Sequence, residues 1–189
     1  MVNSKEITNM QSIEELLKNQ SITVEGSTST ETNISQANLN VVELLKKSLN
    51  IHWQQTTSLT AQAAHLERWG YKKLAAVIKA DAEEEHQHSI ENLKRLEFFD
   101  IDYQPLVVSP PSWTRHDMLA MIRYNLASVK EAAETEKATI LAARSIGDEL
   151  TAQIMIPLLQ GSENGIQLYE SYIKLIEQMG IDNFLTLQV

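Results

Sequence analysis

The chain has 189 residues, 43% hydrophobic and 22% charged, which is enough for one domain with a full apolar core. Its 25 acidic residues outnumber 16 Lys and Arg, giving a formal charge of -9; this disfavours nucleic acid, whose binders meet phosphates with cationic side chains, and suits a metal-cation partner. There is no cysteine, hence no disulfide or zinc-thiolate site, and no apolar run of bilayer-spanning length.

Residues 1–38 read as a polar, partly disordered extension. Ser, Thr, Asn and Gln dominate from Asn19 to Asn38, leaving little apolar surface to offset ordering entropy. Ile13, Leu16 and Leu17 give one short helical face within Gln11–Lys18, marginal on its own. Sequons at Asn19 and Asn33 carry little weight in a chain that lacks the compact apolar segment of a secretory signal. The expected location is the cytoplasm.

Residues 39–189 read as one helical domain. A first helix is expected from Leu39 to Arg68, capped by Asn38, with Val41, Leu44, Leu45, Leu49, Leu59, Ala63 and Leu66 at helical period. Trp69–Gly70 marks a turn. A second helix follows over Tyr71–Phe99, apolar at Leu74, Ile78, Leu93 and Leu96. A third starts at Thr114, whose Asp117 partner gives it capping-box form. It carries Leu119, Ile122, Leu126, Val129, Ala133 and Ile140. A fourth runs from Asp148 to a stop at Gly180. Pro157, Gly161 and Gly165 are its points of weakness. A short tail helix over Asp182–Leu187 closes the chain.

Linker length sets the topology. A helix of about 30 residues is about 45 Å long. The segment 100–113, DIDYQPLVVSPPSW, spans roughly the same distance when extended, whereas the other connections are a few residues each. Short, long, short implies two antiparallel hairpins joined by a full-length crossover. The expected fold is therefore all-α: a ferritin-like four-helix bundle with a long crossover between the second and third helices.

The chemistry lies mid-helix. Asp81, Glu85, His88 and Asn92 fall three or four residues apart on the face that carries Leu74 and Ile78. Polar groups on a core stripe are costly unless paired or metal-bound. Glu85 and His88, three apart, can offer an oxygen and a nitrogen to one ion. His52 lies on the first helix's core stripe. It reads either as a ligand with Glu85 and His88 or as a core histidine hydrogen-bonded to Glu85.

Three stretches, ERWGYKKLA at 67–75, EEEHQHSIENLKRL at 83–96 and YESYIKLIEQMGIDNFLTLQV at 169–189, make the chain resemble the bacterioferritins. The resemblance covers residues 39–189. It implies a homo-oligomer, either a dimer or a 24-subunit shell, that handles iron. It also implies a di-iron ferroxidase centre in each bundle and haem on a two-fold axis.

The implied ligands carry over unevenly. The family's Glu-x-x-His of the second helix falls on Glu85 and His88. Its first-helix glutamate falls on His52, its third-helix glutamate on Val129, and its second Glu-x-x-His on Ser162 and Gly165. His52, Glu85 and His88 can hold one ion, iron or zinc, rather than two. Asp81, with a turn rotated, is a further oxygen donor, as are Glu131 and Glu163 from neighbouring faces. Ferroxidase activity is expected to be weak or absent. The haem-ligand position of the second helix falls on His86, a competent axial ligand, offset about 200° along the helix from His88. The expected function is iron storage or homeostasis; the alternative is a non-catalytic assembly or haem-binding protein built on the same bundle.

Overall fold

The computed structural model describes residues 27–106 and 109–189, with side chains from Asn38 onward. Five α-helices and one 3-10 turn make up the described chain: α1 Ser27–Trp69, α2 Lys72–Phe98, the 3-10 turn Arg115–Asp117, α3 Met118–Ser145, α4 Glu149–Met179 and α5 Ile181–Thr186. By internal contacts the chain divides into Met1–Ser35 and Gln36–Val189, and the helical bundle belongs to the second unit. The readings for residues 1–26, including the short helix within 11–18 and the Asn19 sequon, lie outside the described residues.

Helix α1 begins at Ser27 rather than Leu39, so Asn38 lies inside it and caps nothing. No proline or glycine falls between Gly26 and Trp69 to stop the helix, and Ser, Thr and Asn each cost it at most about 0.7 kcal/mol.

Three helix ends share one closing motif. At α1 the Tyr71 amide donates to the Leu66 carbonyl at 3.0 Å and the Gly70 amide to Glu67 at 3.1 Å. This pair of bonds needs a left-handed residue just past the helix, and Gly70 supplies it with φ +89. Gly147 does the same after α3, with Asp148 bonded back to Ala143 at 2.9 Å. After α2 the left-handed position is taken by Asp100, φ 57, with Ile101 bonded to Leu96 at 3.1 Å. Aspartate tolerates this region better than most residues with a Cβ.

The crossover is held along α1. Tyr103 and the Leu106 amide both bond to the Asn50 side chain, at 2.9 Å each. The Arg115 guanidinium donates to the Trp69 carbonyl at 3.0 Å. The segment thus leaves the end of α2, passes mid-height at Asn50 and reaches the far end of α1. There the reciprocal Thr114–Asp117 capping box turns it into α3. Two tight hairpins joined by one full-length connection give the ferritin-like four-helix bundle. At the same end Phe184 of α5 is fully buried, and the Lys73 amide donates to Gln188 at 3.0 Å.

The core is not continuous. One apolar cluster contains Leu59, Leu66, Leu74, Ile78, Ile122, Val129, Tyr169 and Phe184. The other contains Val41, Leu45, Leu49, Leu96, Ile140, Met155 and Leu158. Each fully buried large side chain contributes about 1.5–3 kcal/mol of transfer free energy. Between the clusters every helix presents buried polar residues: His52 and Gln55 of α1, Glu85 and His88 of α2, Glu136 of α3 and Ser162 of α4.

Candidate metal centre

The polar belt is built on helical register. His52 is fully buried on α1 between Leu49 and Leu59. On α2, Glu85, His88 and Asn92 are buried along one face, and Asp81 is partly buried. The His52 Nδ1 lies 2.5 Å from Glu85 Oε2. His88 Nδ1 lies 3.5 Å from the same oxygen. His52, Glu85 and His88 each offer a ligand atom, and these atoms all fall within 4.8 Å of one another.

Two other polar side chains of α2 bond to the helix's own backbone. Ser89 donates to the Glu85 carbonyl at 3.0 Å and Asn92 to the His88 carbonyl at 3.0 Å. These bonds spend polar groups locally and leave the Glu85 and His88 side chains for the interior.

The electrostatics follow from the contacts. Burial pulls the His52 imidazole toward its neutral form. The Glu85 and Glu136 carboxyls pull harder the other way and raise its pKa from 6.5 to about 9. Burial likewise opposes ionisation of Glu85, yet His52 and His88 hold its pKa at about 2. Asp81 behaves differently. Burial raises its pKa to about 6, against the hydrogen bond it accepts from the Tyr169 hydroxyl.

Glu136 is the buried acid that the sequence reading omits. It is fully buried on α3, and its Oε1 lies 3.0 Å from His52 Nε2. The expected third-helix position, Val129, is a core side chain. The suggested extra donors stay away from the cluster. Asp81 takes the Tyr169 hydroxyl, Glu131 pairs with Lys47 at 3.4 Å, and Glu163 pairs with Lys137 at 3.5 Å. A signal for Glu136 exists in the chain: it lies seven residues after Val129 and four before Ile140, on α3's apolar stripe.

Helix α4 contributes space rather than ligands. It runs unbroken through Pro157, Gly161 and Gly165. A Cβ at Gly161 would lie 2.7 Å from His88 Cε1 and 2.7 Å from Glu84 Oε1. A Cβ at Gly165 would lie 3.3 Å from Val129 Cγ1. Ser162 is fully buried with its hydroxyl unpartnered.

The donors suit one metal ion. Two imidazoles and a carboxylate are a familiar N/O set for zinc or iron. Among the described residues His88 Nδ1 is buried with no hydrogen-bond partner. Isolated polar atoms of this kind are costly in a core unless a cation satisfies them. The set does not suit two ions, because Val129, Ser162 and Gly165 offer no carboxylate or imidazole, and the α3 carboxylate at this level, Glu136, faces His52 Nε2 outside the three-residue cluster. The cluster is therefore incomplete as a two-metal oxidation centre, consistent with weak or absent ferroxidase activity.

His86 points elsewhere. It is exposed, its ring 6.2 Å from that of Trp53, and it lines a groove of about 720 Å³ between α1 and α2 with Ala63, Ala75 and Ala82. Among the described residues no helix is long and apolar enough to cross a membrane.

A four-helix bundle with a long crossover and a His/Glu cluster at mid-height defines the class of ferritin-like metal-binding proteins. The family model for the ferritin-like domain matches residues 42–179, and the chain belongs to the ferritin family.

Proposed function

We propose that this protein serves iron storage or homeostasis as a bacterioferritin-like homo-oligomer, with His52, Glu85 and His88 holding a single divalent ion. The observation that carries this is the convergence of the three side chains, all buried, within 4.8 Å of one another between two apolar clusters. Two histidines and a carboxylate leave room for water on the ion, and iron is then cargo as much as cofactor. Residues 39–189 form the working unit, with 1–38 appended to it, and the setting is the cytoplasm.

The test is metal per chain on size-fractionated protein after aerobic loading with ferrous iron. Tens of irons per chain in a large assembly support storage. About one metal per chain keeps the site and removes storage. None removes both.

The second reading is a non-catalytic, haem- or ligand-binding assembly. It is favoured by His86, which stands beside Trp53 on a groove whose apolar lining is alanine. Haem titration followed by the Soret band in wild type and His86→Ala tests it; equal spectra in the two proteins sink it.

A further inference from the structure

A metal held by His52, Glu85 and His88 leaves Glu136 unexplained. It is a carboxylate with no solvent exposure, deep in the bundle. Its oxygens have no hydrogen-bond partner among the described residues. The nearby hydroxyls on its own helix are spent on backbone carbonyls: Thr135 on Glu131 at 2.9 Å, Thr139 on Thr135 at 2.7 Å. The adjacent Lys137 faces outward to Glu134 and Glu163. What Glu136 does meet is His52 Nε2, at 3.0 Å but not aligned for a hydrogen bond.

The two nitrogens of His52 therefore have different neighbours. Nδ1 faces Glu85 and, through it, His88. Nε2 lies 3.0 Å from Glu136 Oε1. An imidazole ligates through one nitrogen and ordinarily donates its other N–H to a carboxylate or carbonyl, which fixes the tautomer and the ring angle.

We propose that Glu136 is the positioning residue of the centre: with an ion bound, a small turn of the ring lets it accept the Nε2–H of His52 and so present the Nδ1 lone pair to an ion shared with Glu85 and His88. The inference rests on the metal reading and adds to it a residue from α3. Position 136 thus restores to α3 a part in the centre that Val129 cannot play.

The probe is zinc, followed in two ways: chelator-competition titration, and the anomalous-scattering crystal structure of the zinc-loaded full chain. The variants are Glu136→Gln, which keeps the shape, and His88→Ala, which removes a ligand. The expected result is zinc at about 2.0–2.1 Å from His52 Nδ1, with Glu136 on Nε2, and affinity roughly 10–100-fold weaker in Glu136→Gln. In that variant the His52 ring should be rotated or split between two orientations, a change that a merely structural carboxylate would not produce. Zinc on Nε2 with Glu136 as a direct ligand overturns the proposal, as does unchanged affinity in Glu136→Gln when His88→Ala has lost binding. The latter result leaves the metal reading standing. Failure of wild type to bind zinc, with ferrous iron also unbound, overturns both. Should Glu136→Gln not fold, the wild-type crystal structure decides between Nδ1 and Nε2 by itself.

Discussion

Gly161 of α4 faces the ring of His88 so closely that an added methyl group would sit 2.7 Å from its Cε1. The helix has given up a side chain where the ring needs room. Gly161→Ala should improve helix propensity by roughly 1 kcal/mol and lose about 1–3 kcal/mol to crowding. Global stability then changes little. The ring, however, must move, and zinc affinity should fall at least about tenfold. Thermal melts beside a chelator titration separate the two effects; an unchanged affinity would show that His88 is not held where the ion binds.

Stability without metal should depend on pH through the same cluster. His52 is raised from 6.5 to about 9, so its contribution is complete below about pH 6.5 and is lost as pH rises through 9. Glu85 is lowered from 4.5 to about 2, so its contribution is present above pH 4.5 and is lost as pH falls through 2. His52 and Glu85 together favour the range from about pH 4.5 to 6.5, while Asp81, raised to about 6, adds a loss of its own as pH climbs from about 4 through 6. From about pH 6.5 to 9 the chelated protein should lose up to about 3 kcal/mol, the equivalent of the His52 shift. Urea unfolding with chelator across that range measures it. In His52→Ala the alkaline loss should be absent. The variant itself should be weaker by about 3–5 kcal/mol, because two buried carboxyls lose their partner.

Much of this arrangement can be read from the chain. The crossover follows from the separation of 100–113 from the short turns at Gly70 and Gly147, because loop length and helix length are set by backbone dimensions. The Glu85–His88 face follows from a polar interruption of an apolar period. Other features needed the third dimension. Glu136 lies on the apolar stripe of α3, but alignment to a known pattern points to Val129, two turns earlier. The start of α1 at Ser27 is hidden because polar composition signals weak burial, and helices do not require burial along their whole length. Gln55, Ser58 and Gln62 are buried on α1, yet glutamine and serine at helical spacing are indistinguishable in sequence from a solvated face.

Arg95 anchors the opposite end of the bundle. Its guanidinium reaches Asp148 at 2.7 Å and Thr151 at 2.5 Å, and lies over the rings of Phe98 and Phe99. Asp148 also caps α4 by accepting the Thr151 amide. Arg95→Leu should destabilise by about 2–4 kcal/mol in urea, by leaving the polar partners unanswered. Arg95→Lys should recover only part of this, because an ammonium cannot make the two-pronged contact. Metal affinity should be unchanged in both. A large drop would mean that the cluster and this anchor are mechanically linked.

Gln62 and Asn125 form a closed pair, each amide nitrogen 2.8 Å from the other's oxygen. Gln62→Leu alone should cost about 1–3 kcal/mol, by stranding the Asn125 amide. Gln62→Leu with Asn125→Leu should return close to wild-type stability. A double-mutant cycle reads this directly, and strictly additive losses would contradict a reciprocal pair.

His52 brings its own positive charge to the middle of the bundle, already seated against Glu85 and Glu136. Many small metal-dependent domains stay unfolded until an ion arrives, because nothing else offsets their gathered ligands. Here the imidazolium fills that role from within the polypeptide. A cation seated there would displace that proton, and chelator should then remove the metal and leave the chain folded.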